Sequence, residues 1–179
     1  MEILTQQTFE KSSFRIQLRY IAIAGLIAGS LDALAAIFIL SHGNAAPMFK
    51  FISSGIYGKE AFKDSGGMIA LGIALHYFIA FSFTIFYFIV SRYFYAFYKN
   101  AFLSAIIYGL FIYVVMNLIV LSWSNVSIPH RTITGIIKNV VILTLCVSSP
   151  IVCFNRLYYL RHLRTSKKYG ARHSSKNSV

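Results

Sequence analysis

Charged side chains are scarce in this 179-residue chain, at 12% of the total, and only five are acidic against 17 lysines and arginines. With 57% hydrophobic residues and a mean hydropathy of +0.64, too little charge is present to clothe a water-facing surface. The net charge of +12 would suit nucleic acid, but the cations lie between and beyond long apolar runs, which excludes that partner. Cysteine is equally sparse. Cys146 and Cys153 stand two helical turns apart, too far for a mutual disulfide, and read as small packing residues. Without a C-x-x-C pair, a quinone-linked thiol oxidoreductase of the four-helix membrane type has no redox centre.

What the chain does have is four long apolar stretches, Tyr20 to Leu40, Met68 to Val90, Ala101 to Ser122 and Ile133 to Phe154. Each is about 21 to 23 residues, or about 32 Å as a helix, enough to cross the hydrocarbon core. Backbone amides in lipid find no water, so such runs must satisfy them internally, and the ten-residue alternation of a barrel is missing. The expected fold is all-α: an integral membrane four-helix bundle over 20–154, with a cytoplasmic arm at 1–19 and a basic, partly disordered tail at 155–179. The first span follows Lys11, Arg15 and Arg19 like a secretory signal, but it is long, contains Asp32 and lacks a good cleavage site, so it is expected to stay attached.

Orientation follows from the connecting segments. Lys11, Arg15, Arg19, Arg92, Lys99 and the seven cations from Arg156 to Lys176 fall on one side; Lys50, Lys59, Lys63 and Arg131 fall on the other. Both termini are therefore expected in the cytoplasm. Tyr20, Tyr93, Tyr95, Tyr98, Tyr158 and Tyr159 mark the inner interface and Trp123 the outer one. The short stretch from Arg92 to Asn100 makes the second and third spans antiparallel neighbours.

The first connection, 41–67, carries Met48, Phe49, Phe51, Ile52, Ile56 and Phe62 among Lys50, Lys59 and Glu60, with Pro47 suited to a first helical turn. An amphipathic helix on the outer surface is expected there, with a re-entrant hairpin as the alternative. The tail is expected to form a juxtamembrane helix and then lose order; its cations serve as a positive-inside stop, with binding of anionic lipid headgroups as the sharper alternative. No internal repeat of the inverted transporter kind is found.

The blocks Ala24 to Asp32 (AGLIAGSLD), Phe51 to Phe62 (FISSGIYGKEAF), Leu75 to Ala80 (LHYFIA) and Tyr108-Gly109 through Met116-Asn117 resemble a family of uncharacterised bacterial four-span membrane proteins. The likeness runs from about Ala24 to Ser124 and implies a bacterial inner-membrane location. It brings no activity, cofactor or site to transfer.

Function must then come from the polar residues within the spans: Asp32, His76, Asn117, Lys138 and Asn139. A charge at a helix centre costs roughly 2.5 to 3.5 kcal/mol on insertion scales, so such groups turn to protein or water. Counting inward at about 1.5 Å per residue puts all five about 8 to 12 Å below the outer ends of their spans, in one layer. Each except Lys138 also rides a stripe of small residues: Gly25 and Gly29 with Asp32, Gly72 with His76, Gly109 with Asn117, and Gly135 with Asn139. Lys138 lies about 100° from Asn139 and is read as snorkelling outward, with a buried pair to Asp32 as the alternative. Asp32 and His76 are read either as a structural hydrogen-bonded pair or as a proton or substrate site. Two outer histidines, His42 and His130, are too few for a metal site, and His76 alone cannot bind haem through two histidines. Pro150 is expected to kink the fourth span.

Three functions follow in order: a non-enzymatic structural, assembly or partner-binding membrane protein, with another membrane protein or further copies of itself as partner; a small oligomeric transporter or channel built on Asp32 and His76; and a membrane enzyme acting on a lipid at the outer surface. No cofactor or metal is implied. Nucleophile–base spacing or paired carboxylates, which would support the third, are not evident.

Overall fold

The computed structural model describes residues 2–63, 66–93, 100–121 and 132–161. Among them every regular element is helical. Helix α1 (Glu2–Ala35) runs into a π turn at Ala36–Leu40. A short turn leads to α2 (Ala45–Tyr57) and a 3-10 segment at Gly58–Phe62. Helix α3 (Gly67–Val90) follows, then α4 (Ala101–Val114), continued by a π turn at Val115–Val120. Helix α5 (Ile133–Ile142) passes through a third π turn at Leu143–Ser148 and continues to Arg161.

Three of these helices, Phe14–Ile39, Gly67–Val90 and Ile133–Arg161, are long and apolar enough to cross a membrane. The apolar helix at Ala101–Asn117 is shorter. Each expected span thus lies on a helix, but two helices outrun their apolar stretch. α1 begins at Glu2 rather than near Tyr20, because Lys11, Arg15 and Arg19 limit where lipid can begin without limiting where a helix can form. α5 continues through Asn155 to Arg161, so the stretch where a juxtamembrane helix is expected is helical as far as it is described. The expected turn over 94–99, Trp123, His130 and the tail from 162 fall outside the described residues.

The helices run up and down between two ends. At the terminal end α1 begins and α3 and α5 finish; at the other, α2 joins α1 to α3. α1 packs against α3 and against the π turn of α5, and α4 packs against α5. The core draws on all four long helices, through Ala28, Tyr87, Ala105, Tyr108, Ile112, Val147 and Ile151. Close approach is set by small residues. A Cβ at Gly25 would stand 2.6 Å from the Phe81 ring, and one at Gly109 would stand 2.9 Å from the Thr144 Cα.

Hydrogen bonds tie the long helices together. Tyr108 donates to the Phe83 carbonyl (2.6 Å), Ser148 to the Ala105 carbonyl (2.7 Å) and the Asn155 amide to Ser91 Oγ (3.0 Å). Arg92 donates to Gln17, and Arg161 lies over the Tyr20 ring, with its Cζ 5.9 Å from the centroid. Pro150, where a kink is expected, follows the π turn at Leu143–Ser148. Proline offers no N–H to the carbonyl four residues back, and widening the helix accommodates it; the Ser149 hydroxyl donates to the Thr144 carbonyl there (2.8 Å).

At the α2 end, Asn44 caps α2 by accepting from the Ala46 N–H (3.3 Å). The chain enters through His42 and Gly43, both at positive φ (50° and 88°). α2 lies along the start of α3: Ser53 Oγ donates to the Met68 carbonyl (2.5 Å), and one turn further along each helix Phe49 meets Gly72. A Cβ on Gly72 would sit 2.7 Å from the Phe49 carbonyl carbon, a collision with backbone that no rotamer relieves. Phe51, Ile56, Tyr57 and Phe62 remain exposed beside Lys59 and Lys63, giving this segment the expected amphipathic character.

Candidate functional site

The site begins on α3, where Gly72, His76, Ala80 and Thr84 repeat at one-turn spacing and are all buried. That stripe faces α1. His76 Nε2–H donates to the Gly29 carbonyl at 2.8 Å, and its ring stands edge-on to Tyr77 (centroids 5.6 Å apart) and Phe49 (6.3 Å). Tyr77 reaches back to α1, its hydroxyl 2.9 Å from Ser30 Oγ, while a Cβ on Gly29 would touch the Tyr77 ring at 3.0 Å. Helices α1, α2 and α3 thus enclose the imidazole, and one of its nitrogens is committed to a backbone carbonyl.

Asp32 lies one turn beyond Ala28 and Gly29 on α1. Both are buried, Ala28 against the core shared with α5 and Gly29 against α3, so residue 32 faces the space between α3 and α5. It is nevertheless half-exposed. Among the described residues no side chain or backbone group forms a hydrogen bond or ion pair with its carboxylate; the ion pair present is Lys63–Glu60, on the surface at 2.5 Å. The hydrogen-bonded Asp32–His76 pair considered from sequence is therefore not formed. The imidazole bonds to a backbone carbonyl one turn earlier on α1, leaving the carboxylate beside it rather than on it.

The remaining polar residues divide by helix face. Asn117 is half-buried within the π turn of α4 and donates to the Tyr113 carbonyl (2.9 Å). Asn139 is half-buried on α5, while Lys138 beside it is exposed. Of the five glycines on the small-residue stripes, Gly25, Gly29, Gly72 and Gly109 lie so close to a neighbouring helix that an added Cβ would touch it. Gly135 does not: it is exposed in the first turn of α5, and a Cβ there would meet the Thr132 hydroxyl that caps its own helix. Gly135 shares a helix face with the half-buried Asn139, but it stands one turn nearer the start of α5, where among the described residues no neighbouring helix comes within reach. Among the described residues, no three His, Cys, Asp or Glu side chains group closely enough to hold a metal ion.

Several residues that matter were invisible to a search for charge in the spans. Gln17, Ser91, Ser148 and Asn155 are buried and link helices. Helical phase counted from Ile151 would have found Ser148 and Asn155, which share its buried side.

Comparison of the chain with protein-family models finds no match, and neither do comparisons with curated proteins and with solved structures.

Proposed function

We propose that this chain is a four-span protein of the bacterial inner membrane, with its terminal end in the cytoplasm, and that its role is non-catalytic: a packed helical unit that assembles with another membrane protein. The observation carrying this reading is how the polar groups are used. His76, Ser148, Tyr108 and Asn155 spend their hydrogen bonds holding helix to helix, while outward faces show lipid-compatible side chains such as Phe38, Phe78, Phe102 and Leu145. Such an interior specifies a shape. The resemblance to bacterial four-span proteins and the bias of lysine and arginine toward the terminal end support the location and orientation.

The test is topology in intact cells, by impermeant thiol labelling of single cysteines placed in a background lacking Cys146 and Cys153. Positions Lys59 and Asn125 should label from outside, and positions Lys99 and Ser174 only after the membrane is opened. Labelling of position 99 from outside would refute the four-span arrangement. A second reading, solute or ion passage, is favoured by one observation: the Asp32 carboxylate lies inside the bundle without a hydrogen-bonding partner among the described residues.

A further inference from the structure

We infer that the bend between α2 and the 3-10 segment at Gly58–Phe62 binds an anionic phospholipid, with Lys50 and Lys59 on its phosphate and Phe51, Tyr57 and Phe62 against its acyl chains. This rests on the membrane-spanning reading, because only a bilayer brings headgroups and acyl chains together at this end of the bundle.

α2 runs antiparallel to the start of α3. Ser53 is level with Met68 and Phe49 with Gly72, one turn farther in, and the Phe49 ring reaches His76. The first half of α2 therefore stands beside the opening turns of α3, while its last turn and the 3-10 segment lie at or beyond the beginning of that helix. Lys50 belongs to the inner part, next to Phe49, yet its charge does not stay there: Nζ donates to the Phe62 carbonyl at 3.5 Å, so the stem runs along α2 toward the end that carries Lys59 and Lys63. A lysine whose Cα lies below the headgroup layer places its ammonium in that layer in this way. Three lysines thereby serve one bend of the chain.

The bend holds more positive charge than it neutralises. Glu60 takes Lys63 at 2.5 Å, and Lys50 and Lys59 have no carboxylate partner among the described residues. Counting Asp64, the segment 41–67 has three lysines to two acids, which leaves one positive charge, the complement of a phosphodiester. The apolar side chains at the same bend say what carries that phosphate. Phe51, Ile56, Tyr57 and Phe62 are 41 to 55% exposed. At about 100° per residue, each of Phe51, Ile56 and Tyr57 is roughly 100° or more from the other two around α2. A rigid protein partner covers one side of a helix, whereas fluid acyl chains cover all three directions. Tyr57 is also the ring type that settles beside headgroups. Apolar groups on several sides with cations at their outer end fit an acidic lipid.

The test uses the full chain with Trp123→Phe and Tyr57→Trp, so that a single indole reports from the bend, in nanodiscs of phosphatidylcholine containing phosphatidylglycerol. One lipid or the other carries bromine on its acyl chains, and quenching of the indole by each gives their relative affinity for the bend. Expected is a preference of roughly fivefold or more for phosphatidylglycerol. Lys50→Gln with Lys59→Gln should abolish it and the two Lys→Arg changes should retain it, which separates loss of charge from loss of fold. Lys138→Gln, at an exposed lysine of α5, should leave it unchanged. Equal quenching by the two lipids, a preference that survives loss of both lysines, or one lost equally with Lys138→Gln would overturn the site. So would an inserted chain whose indole neither lipid quenches, which would give this surface to a protein partner. Loss of the preference in inorganic phosphate, where chloride at the same ionic strength preserves it, would make the ligand a soluble anion and overturn the lipid. Nanodiscs open both leaflets, so orientation does not enter; a chain that fails to enter the disc would instead overturn the membrane reading.

Discussion

The two halves of the bundle solve the same problem differently. In the terminal half, Ala28, Tyr87, Ile112 and Ile151 are at most 2% exposed, and Ser91, Ser148 and Asn155 close the remaining gaps with hydrogen bonds. In the α2 half, α1 and α3 are sealed by α2 at Gly72 and Phe49, while among the described residues α4 has no buried residue beyond Ile112 and α5 has Ile142 alone before Val147. One half is a packed solid and the other is a clamp with one side closed. Both halves use polar links between helices, Arg92 to Gln17 and Ser148 to the Ala105 carbonyl in the first, His76 to the Gly29 carbonyl in the second, but Asp32 in the second makes no hydrogen bond among the described residues.

The largest effect should come from cutting into the packed half. Ile151→Ala, at a fully buried position, is expected to cost about 2 to 5 kcal/mol, whereas Leu145→Ala, 63% exposed on the same helix, should stay within about 0.5 kcal/mol. Equilibrium unfolding in mixed micelles measures both, and equal costs would erase the contrast between core and lipid face. Next, Gly72→Ala forces a methyl against the Phe49 backbone and should cost about 1 to 3 kcal/mol. The same change at the exposed Gly135 should be neutral or stabilising by a few tenths of a kcal/mol, as alanine favours helix.

Smaller still, Ser148→Ala removes a buried helix-to-helix hydrogen bond and is expected to cost about 0.5 to 1.5 kcal/mol. A double-mutant cycle cannot be drawn to the Ala105 backbone, so thermal stability of the single variant is the readout. Asp32→Asn should be the mildest, within about 0.5 kcal/mol of the parent, because the carboxylate makes no hydrogen bond or ion pair among the described residues. A loss above about 2 kcal/mol would mean that Asp32 is structural and that the open half is less open than it looks.

Much of the frame was legible because apolar length is a strong signal: three of the four stretches lie on helices long and apolar enough to cross a membrane, and the described part of the third, 101–121, is helical as well. Gly25, Gly29, Gly72 and Gly109 could be read as contact points, since four-residue spacing on a regular helix predicts one face. Gly135 failed because spacing gives a face and not a depth: it stands in the first turn of α5, where among the described residues only Thr132 of its own cap is near. The π turn at Leu143–Ser148 was not legible either, and Pro150 hints at a disturbance without giving its form. The π turns after Ala35 and Val114 lack even that hint: Ala36–Leu40 and Val115–Val120 contain neither proline nor glycine. The partner of His76 was missed for a different reason. Sequence pairs side chains with side chains, and a backbone carbonyl, here that of Gly29, is an acceptor at every position and marks none.

The most direct measurement is a spin-label scan of α1 in liposomes, from Leu26 to Phe38, comparing collisions with oxygen and with a water-soluble nickel chelate. At Leu26, Leu34 and Phe38, which face outward, oxygen access should be high and nickel access minimal, whereas at the buried Ala28 and Gly29 both should be low. Nickel access that is high at Leu26, Leu34 and Phe38 would show water where lipid is required, and would contradict the membrane bundle on which everything else depends.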